Sequence, residues 1–154
     1  MSKLAVLSPF TGSVISIEDV PDPVFVEKMV GDGVALHPTE GMALAPIDGK
    51  ITILHSSGHA FAVQAGDSRI TVLVHIGLDT VKLKGQGFTL RAKVGDVIRV
   101  GQPVIEFDLA VIAAAGYSSI SPVILPDLPE QAIIEKKTLS EARAGRDVLY
   151  TVEI

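Results

Sequence analysis

Apolar residues come in short runs that alternate with polar ones, and Gly, Pro or Asp interrupts most runs after a few positions. Ile70-Thr71-Val72-Leu73-Val74-His75 shows the pattern best, with a period of two and β-branched side chains, as a strand with two distinct faces requires. Comparable runs predict strands near 4–7, 13–17, 34–36, 42–44, 50–55, 60–64, 69–76, 97–99, 104–107, 120–125 and 148–153. Helical signals are few. Asp108 to Gly116 predicts one short helical turn, with Asp108 as N-cap, and Pro129 to Ile134 predicts a second. Strands and turns at this density predict an all-β, antiparallel sandwich or barrel with few short helical turns. No linker or low-complexity stretch divides the chain, so residues 1–154 are expected to form one domain.

Two short phrases recur. Ser8-Pro9-Phe10-Thr11-Gly12-Ser13-Val14 is echoed by Ala45-Pro46-Ile47-Asp48-Gly49-Lys50-Ile51, and Val30-Gly31-Asp32 by Val94-Gly95-Asp96. Each reads as strand, glycine turn, strand; duplication and simple reuse of turn chemistry explain the echo equally well.

Composition narrows the function. With 154 residues, 47% hydrophobic and only 20% charged, the chain can bury a sizeable core. A net charge of −5 argues against nonspecific binding to nucleic acid and permits attraction to a basic protein. The chain has no cysteine, which excludes disulfides, thiolate chemistry and zinc–cysteine sites. Its apolar runs all fall short of a spanning helix, and Pro9 breaks the first too early for a secretory signal. A soluble, cytoplasmic protein is expected.

The reactive groups left are histidines, carboxylates and hydroxyls. His59-Ala60-Phe61-Ala62-Val63 precedes the His75 run, with Gly66-Asp67-Ser68 as the turn between them. A hairpin centred on Asp67 places 63 opposite 71, 61 opposite 73, and His59 opposite His75, beside Phe61 and Leu73. Directly opposed residues have Cβ atoms about 4.5–5.5 Å apart. A slip of one residue would send one ring to the other face.

A pair of imidazoles on an apolar face has little rationale in packing alone. Imidazole binds metals, moves protons or attacks as a nucleophile. A metal centre needs a third ligand, for which Asp79 is the nearest supply. Phosphoryl transfer needs less: one ring attacks phosphorus, the other donates to the charged oxygens, and an apolar rim limits water. Ser57 is close enough in sequence to orient His59 through its other nitrogen, although a plain turn serine is an equal reading. His37, before Pro38, reads as solvated, and His55 as a rim residue. Asp22, between Pro21 and Pro23, and Asp79 read as exposed turn acids able to meet basic partners. The pairs Gly31/Gly33 and Gly85/Gly87 read as turns, since neither belongs to a strand–helix phosphate loop.

Several phrases in order carry a resemblance: Val20-Pro21-Asp22-Pro23-Val24-Phe25, Val30-Gly31-Asp32-Gly33-Val34-Ala35, Ala45-Pro46-Ile47-Asp48-Gly49, Gly58-His59-Ala60-Phe61, Val74-His75-Ile76-Gly77-Leu78-Asp79-Thr80-Val81 and Lys84-Gly85-Gln86-Gly87-Phe88. Together they resemble the glucose-type enzyme IIA family of the bacterial sugar phosphotransferase system, through Val104-Ile105-Glu106-Phe107-Asp108. The resemblance implies an antiparallel β-sandwich or barrel with a duplicated hybrid motif, akin in places to biotinyl-carrier barrels. It implies that His75 accepts phosphate on Nε2 from HPr, that His59 stabilises it, and that Ser57 orients His59 where a Thr is familiar. The phosphate would pass to a cysteine of an EIIB domain for sugar uptake. Asp22, Phe25, Leu73, Asp79 and Val81 match partner-binding positions beside the site. No cofactor is required, while some relatives bind zinc through the two histidines, here His59 and His75, when docked on a target enzyme.

The chain departs from the pattern in three ways. Its first strand follows Met1 almost directly, without the basic amphipathic tail of some relatives, so neither membrane tethering by such a tail nor stable membrane insertion is expected. His55 stands at a rim position that is often apolar or aromatic, and the turn at Gly66-Asp67-Ser68 is short. Two rival functions share these residues. One is a zinc endopeptidase of lysostaphin-like type, whose His-x-x-x-Asp string matches His75 to Asp79 but whose His-x-His is missing. The other is a regulatory module that binds transporters or kinases through the same face. Glucose, N-acetylglucosamine and β-glucosides are equally compatible sugars.

Overall fold

The computed structural model of the protein describes residues 3–154 except Met29, Asp67 and Arg69. Its strands are β1 (Lys3–Leu7), β2 (Gly12–Ser16), β3 (Asp32–Pro38), β4 (Met42–Leu44), β5 (Gly49–Leu54), β6 (Ala60–Gln64) and β7 (Thr71–His75). Then follow β8 (Phe88–Leu90), β9 (Val97–Ile98), β10 (Pro103–Phe107), β11 (Ser121–Leu125), β12 (Ile133–Lys136), β13 (Glu141–Ala142) and β14 (Val148–Glu153). Two short helices, α1 (Pro23–Val26) and α2 (Leu109–Ala114), complete the regular structure with single 3₁₀ turns at Ile17–Asp19 and Thr80–Leu83.

An eight-stranded sheet runs in the order β13-β2-β3-β11-β7-β6-β5-β9, and two three-stranded sheets run β1-β14-β12 and β4-β10-β8. Every paired strand is antiparallel. The expected all-β sandwich is therefore the observed fold. Gly12 and Gly49, the glycines of the first repeated phrase, both open strands of the large sheet.

Strand alternation divides the apolar residues into two cores. Val34, Leu36, Val72, Val74, Phe61, Val63, Val123 and Leu125 face the main core. The intervening residues of the same strands, Ala35, Leu73 and Ile124, face outward and join Ile17, Val20, Phe25 and Leu78 in a second, smaller cluster. His75 has the same parity as Leu73, so it emerges on the face of the smaller cluster.

Three expectations are corrected. The segment 129–134 is not helical, because Ile133 and Ile134 extend and pair with Glu153 and Val152 of β14. The hairpin register differs by one: Ala60, not His59, opposes His75, and Phe61 opposes Val74. The cause is burial. Phe61 and Val63 on β6 and Val72 and Val74 on β7 belong to the main core, and only this register puts both sets on one face. Phe61 is thus fully buried there and does not flank the histidines, and Leu73 opposes Ala62. Asp67, the expected centre of the turn, lies outside the described residues. The third correction is at Asp22, expected in an exposed turn. It caps α1, its carboxylate accepting the Val24 N–H at 3.0 Å with Pro23 in the first turn.

Candidate functional site

The His75 end of β7 opens onto a sharp turn that fixes its ring. Gly77 has φ +73, and a Cβ there would lie 2.5 Å from Thr80 Cγ2 and 2.8 Å from the Ser118 carbonyl oxygen. Only glycine fits. Its carbonyl turns back toward the strand and accepts from His75 Nδ1 at 2.7 Å. The Gly77 N–H donates to Ser121 Oγ at 3.0 Å, and Thr80 Oγ1 donates to the Ile76 carbonyl, so the turn is braced on both sides. A carbonyl can only accept, so His75 Nδ1 carries the proton. In the neutral ring, Nε2 therefore holds an unshared electron pair.

His59 lies just before β6, after Gly58 with φ +74, and is free of the strand's pleat. Its carbonyl accepts the Ile76 N–H at 2.7 Å, and its ring lies edge-to-face to His75 with centroids 5.4 Å apart. The rings thus meet as expected, although the strand register does not bring their backbones opposite. Ala60 and Ala62 oppose His75 and Leu73 on the site face, where their small side chains leave room for the two rings. Ser57 Oγ is 2.5 Å from His59 Nδ1. When that hydroxyl donates, His59 keeps its proton on Nε2 and offers it outward.

Burial sets the charge of both rings. His59 is 8% exposed, and desolvation, aided by His75 and His55 nearby, lowers its pKa to about 4. Desolvation also lowers His75, partly opposed by the Gly77 carbonyl and by the carboxylates of Asp22 and Asp79. Both are neutral near pH 7, one with a free lone pair and one able to donate. Such a pair can act as a nucleophile beside an oxyanion donor.

The other expected residues divide. Phe25 is only 7% exposed and lies edge-on to His75 at 5.5 Å, so it supports the ring more than it offers a face. Leu73 packs into the smaller cluster with Phe25. Val81 is 48% exposed on the turn after Asp79, and Val24, which sequence reasoning passed over, is exposed on α1. Asp79 has φ +62 and precedes the 3₁₀ turn. The role of Gly77 was missed, and His55 was expected only at the rim, where it is exposed. Gly77 had a signal: a glycine two positions beyond a strand-end histidine can return its carbonyl to the ring. The stack of His55 on His59, at 4.7 Å and 15° between planes, had none.

A metal centre is not assembled. Among the described residues no three His, Cys, Asp or Glu side chains converge as ligands, so His75 and Asp79 lack the further histidine a peptidase needs. The two histidines, with both Nδ1 atoms engaged, could offer a metal only their Nε2 atoms, His59 after losing the proton it holds there. Among the described residues no helix is long and apolar enough to cross a membrane.

A family model described as phosphoenolpyruvate-dependent sugar phosphotransferase system, EIIA 1, matches residues 4–130. A glucose-specific EIIA component of Oceanobacillus iheyensis is 39% identical over 97% of this chain and 90% of its own length. Its counterpart in Staphylococcus epidermidis is 44% identical over 98% and 90%. The solved structure of glucose permease IIA from Mycoplasma capricolum superposes with a TM-score of 0.91 at 33% identity, over 98% of this chain and 96% of that one.

Proposed function

Because the chain belongs to the EIIA 1 family of the phosphoenolpyruvate-dependent sugar phosphotransferase system, we propose that His75 carries its phosphoryl group between two protein partners. The single observation that best supports this reading is the bond from His75 Nδ1 to the Gly77 carbonyl, which leaves the Nε2 pair as nucleophile. The donor is the phosphohistidine of HPr. A P–N bond forms at Nε2 as the donor's P–N bond breaks, and the electron pair of the broken bond returns to the donor ring. A cysteine thiolate of an EIIB domain then attacks the same phosphorus, and the P–N electrons return to Nε2.

His59 holds the phosphoryl oxygens with its Nε2 proton while Ser57 orients it. Positioning and charge stabilisation are most of what phosphoryl transfer asks of a protein. Leu73, Val24 and Val81 supply apolar contact, and Asp22 and Asp79 supply negative charge for a basic partner. The relatives' names make glucose the first sugar to test. The work belongs in the cytoplasm, where phosphoenolpyruvate is made. No resident metal takes part. Zinc, if a docked partner completes its ligands, would bridge the proteins through His59 and His75.

The test is reconstitution. Enzyme I, HPr, phosphoenolpyruvate and membranes holding the matching EIIB-containing permease should form sugar phosphate only when this chain is added. Formation at the same rate without it overturns the reading.

A further inference from the structure

Four rings stand in a row: Phe25 edge-on to His75, His75 edge-on to His59, and His59 face to face with His55. Phe25 anchors the inner end in the smaller core. His55 is exposed at the outer end, and among the described residues its side chain has no hydrogen-bond partner. It lies at the end of β5, where its backbone N–H donates to the Ala60 carbonyl and its own carbonyl accepts from Gly58. The backbone is therefore fixed on both sides of the loop that carries His59.

His59 needs that support. Among the described residues its one side-chain hydrogen bond, to Ser57, fixes the direction of Nδ1 but does not itself set the tilt of the ring about that axis. Rotation about the axis tilts the ring plane, and with it the angle at which Nε2 meets a phosphoryl oxygen. A parallel face at 4.7 Å and 15° removes this freedom. It holds the 68° inclination of His59 to His75. Offset stacking of this kind is worth about 0.5–1.5 kcal/mol beyond the area it buries.

We propose that His55 is a positioning residue for phosphoryl transfer, its stacked ring fixing the plane of His59 beside His75. The inference rests on the phosphocarrier reading above. His55 acts through its flat face, so an aromatic ring without nitrogen serves as well.

The experiment follows single-turnover transfer from phospho-HPr to His55→Ala and His55→Phe. His55 is exposed, so both should fold like the wild type. His55→Ala is expected to slow the transfer step roughly two- to ten-fold, the stacking energy converted to rate, with the half-saturating donor concentration unchanged. His55→Phe is expected to restore the wild-type rate within about two-fold. Unchanged transfer in His55→Ala overturns the proposal, as does His55→Phe as slow as His55→Ala, or a loss confined to donor affinity. A wild-type chain that takes no phosphate overturns the phosphocarrier reading itself, and this inference with it.

Discussion

The rings of His59 and His75 lie 5.4 Å apart at 68°, although the residue that pairs with His75 across the strands is Ala60. The pair owes its proximity to two irregularities, the entry to β6 after Gly58 and the turn after β7 at Gly77. Regular pleating alone would place residue 59 on the side of the main core. The site is therefore sensitive to both glycines.

Gly77→Ala is expected to cost about 1–3 kcal/mol of stability, since alanine at φ +73 is strained and its Cβ meets the Ser118 carbonyl. Relaxation of the turn would also withdraw the carbonyl from His75 Nδ1. Urea denaturation measures the first effect, and a changed Nδ1 proton signal in NMR measures the second.

Ser57→Ala removes the one hydrogen-bonding side chain on His59 Nδ1. A net hydrogen bond of about 1 kcal/mol corresponds to a roughly five-fold slower passage of phosphate to the acceptor. Ser57→Thr keeps the hydroxyl and is expected to retain the wild-type rate in the same assay.

Stability should depend on pH through His59. Folded, it titrates at about 4, against an ordinary 6.5. Between those values the unfolded chain binds more protons, so stability rises with pH. It is lost as pH falls from about 6.5 to about 4 and changes no further on this account below. His59→Gln should remove part of that slope, read from urea midpoints at several pH values.

Much of this architecture was legible in the sequence, and the exceptions share a cause. Alternation predicted the strands around Ile70–His75 and 148–153 because burial on one face is written at every second residue. Asp108 likewise announced α2 as a cap, and its carboxylate accepts from Ala110 and Val111. Register was not legible from the turn, because the hairpin obeys the core parity of Phe61 and Val74. Ile133-Ile134 misled because six residues of mixed character suit either state until β14 offers an edge. His59, His75 and Ser57 lie together as their spacing led one to expect. His55 was expected at the rim but not stacked on His59, since a ring stack depends on side-chain orientation that no spacing records.

Docking should depend on the exposed aliphatic residues. Val81→Asp places a charge on a residue 48% exposed, outside both cores. Fold and melting temperature are expected to hold, while the half-saturating concentration of phospho-HPr rises about ten-fold through lost apolar contact. Titration of the donor in the transfer assay decides it.

The most direct measurement is the mass of the chain after incubation with phosphoenolpyruvate, enzyme I and HPr. Wild type and His59→Gln are expected to gain one phosphoryl group, His59→Gln passing it on poorly, while His75→Ala gains none. A phosphoryl group persisting on His75→Ala would contradict the assignment of the nucleophile.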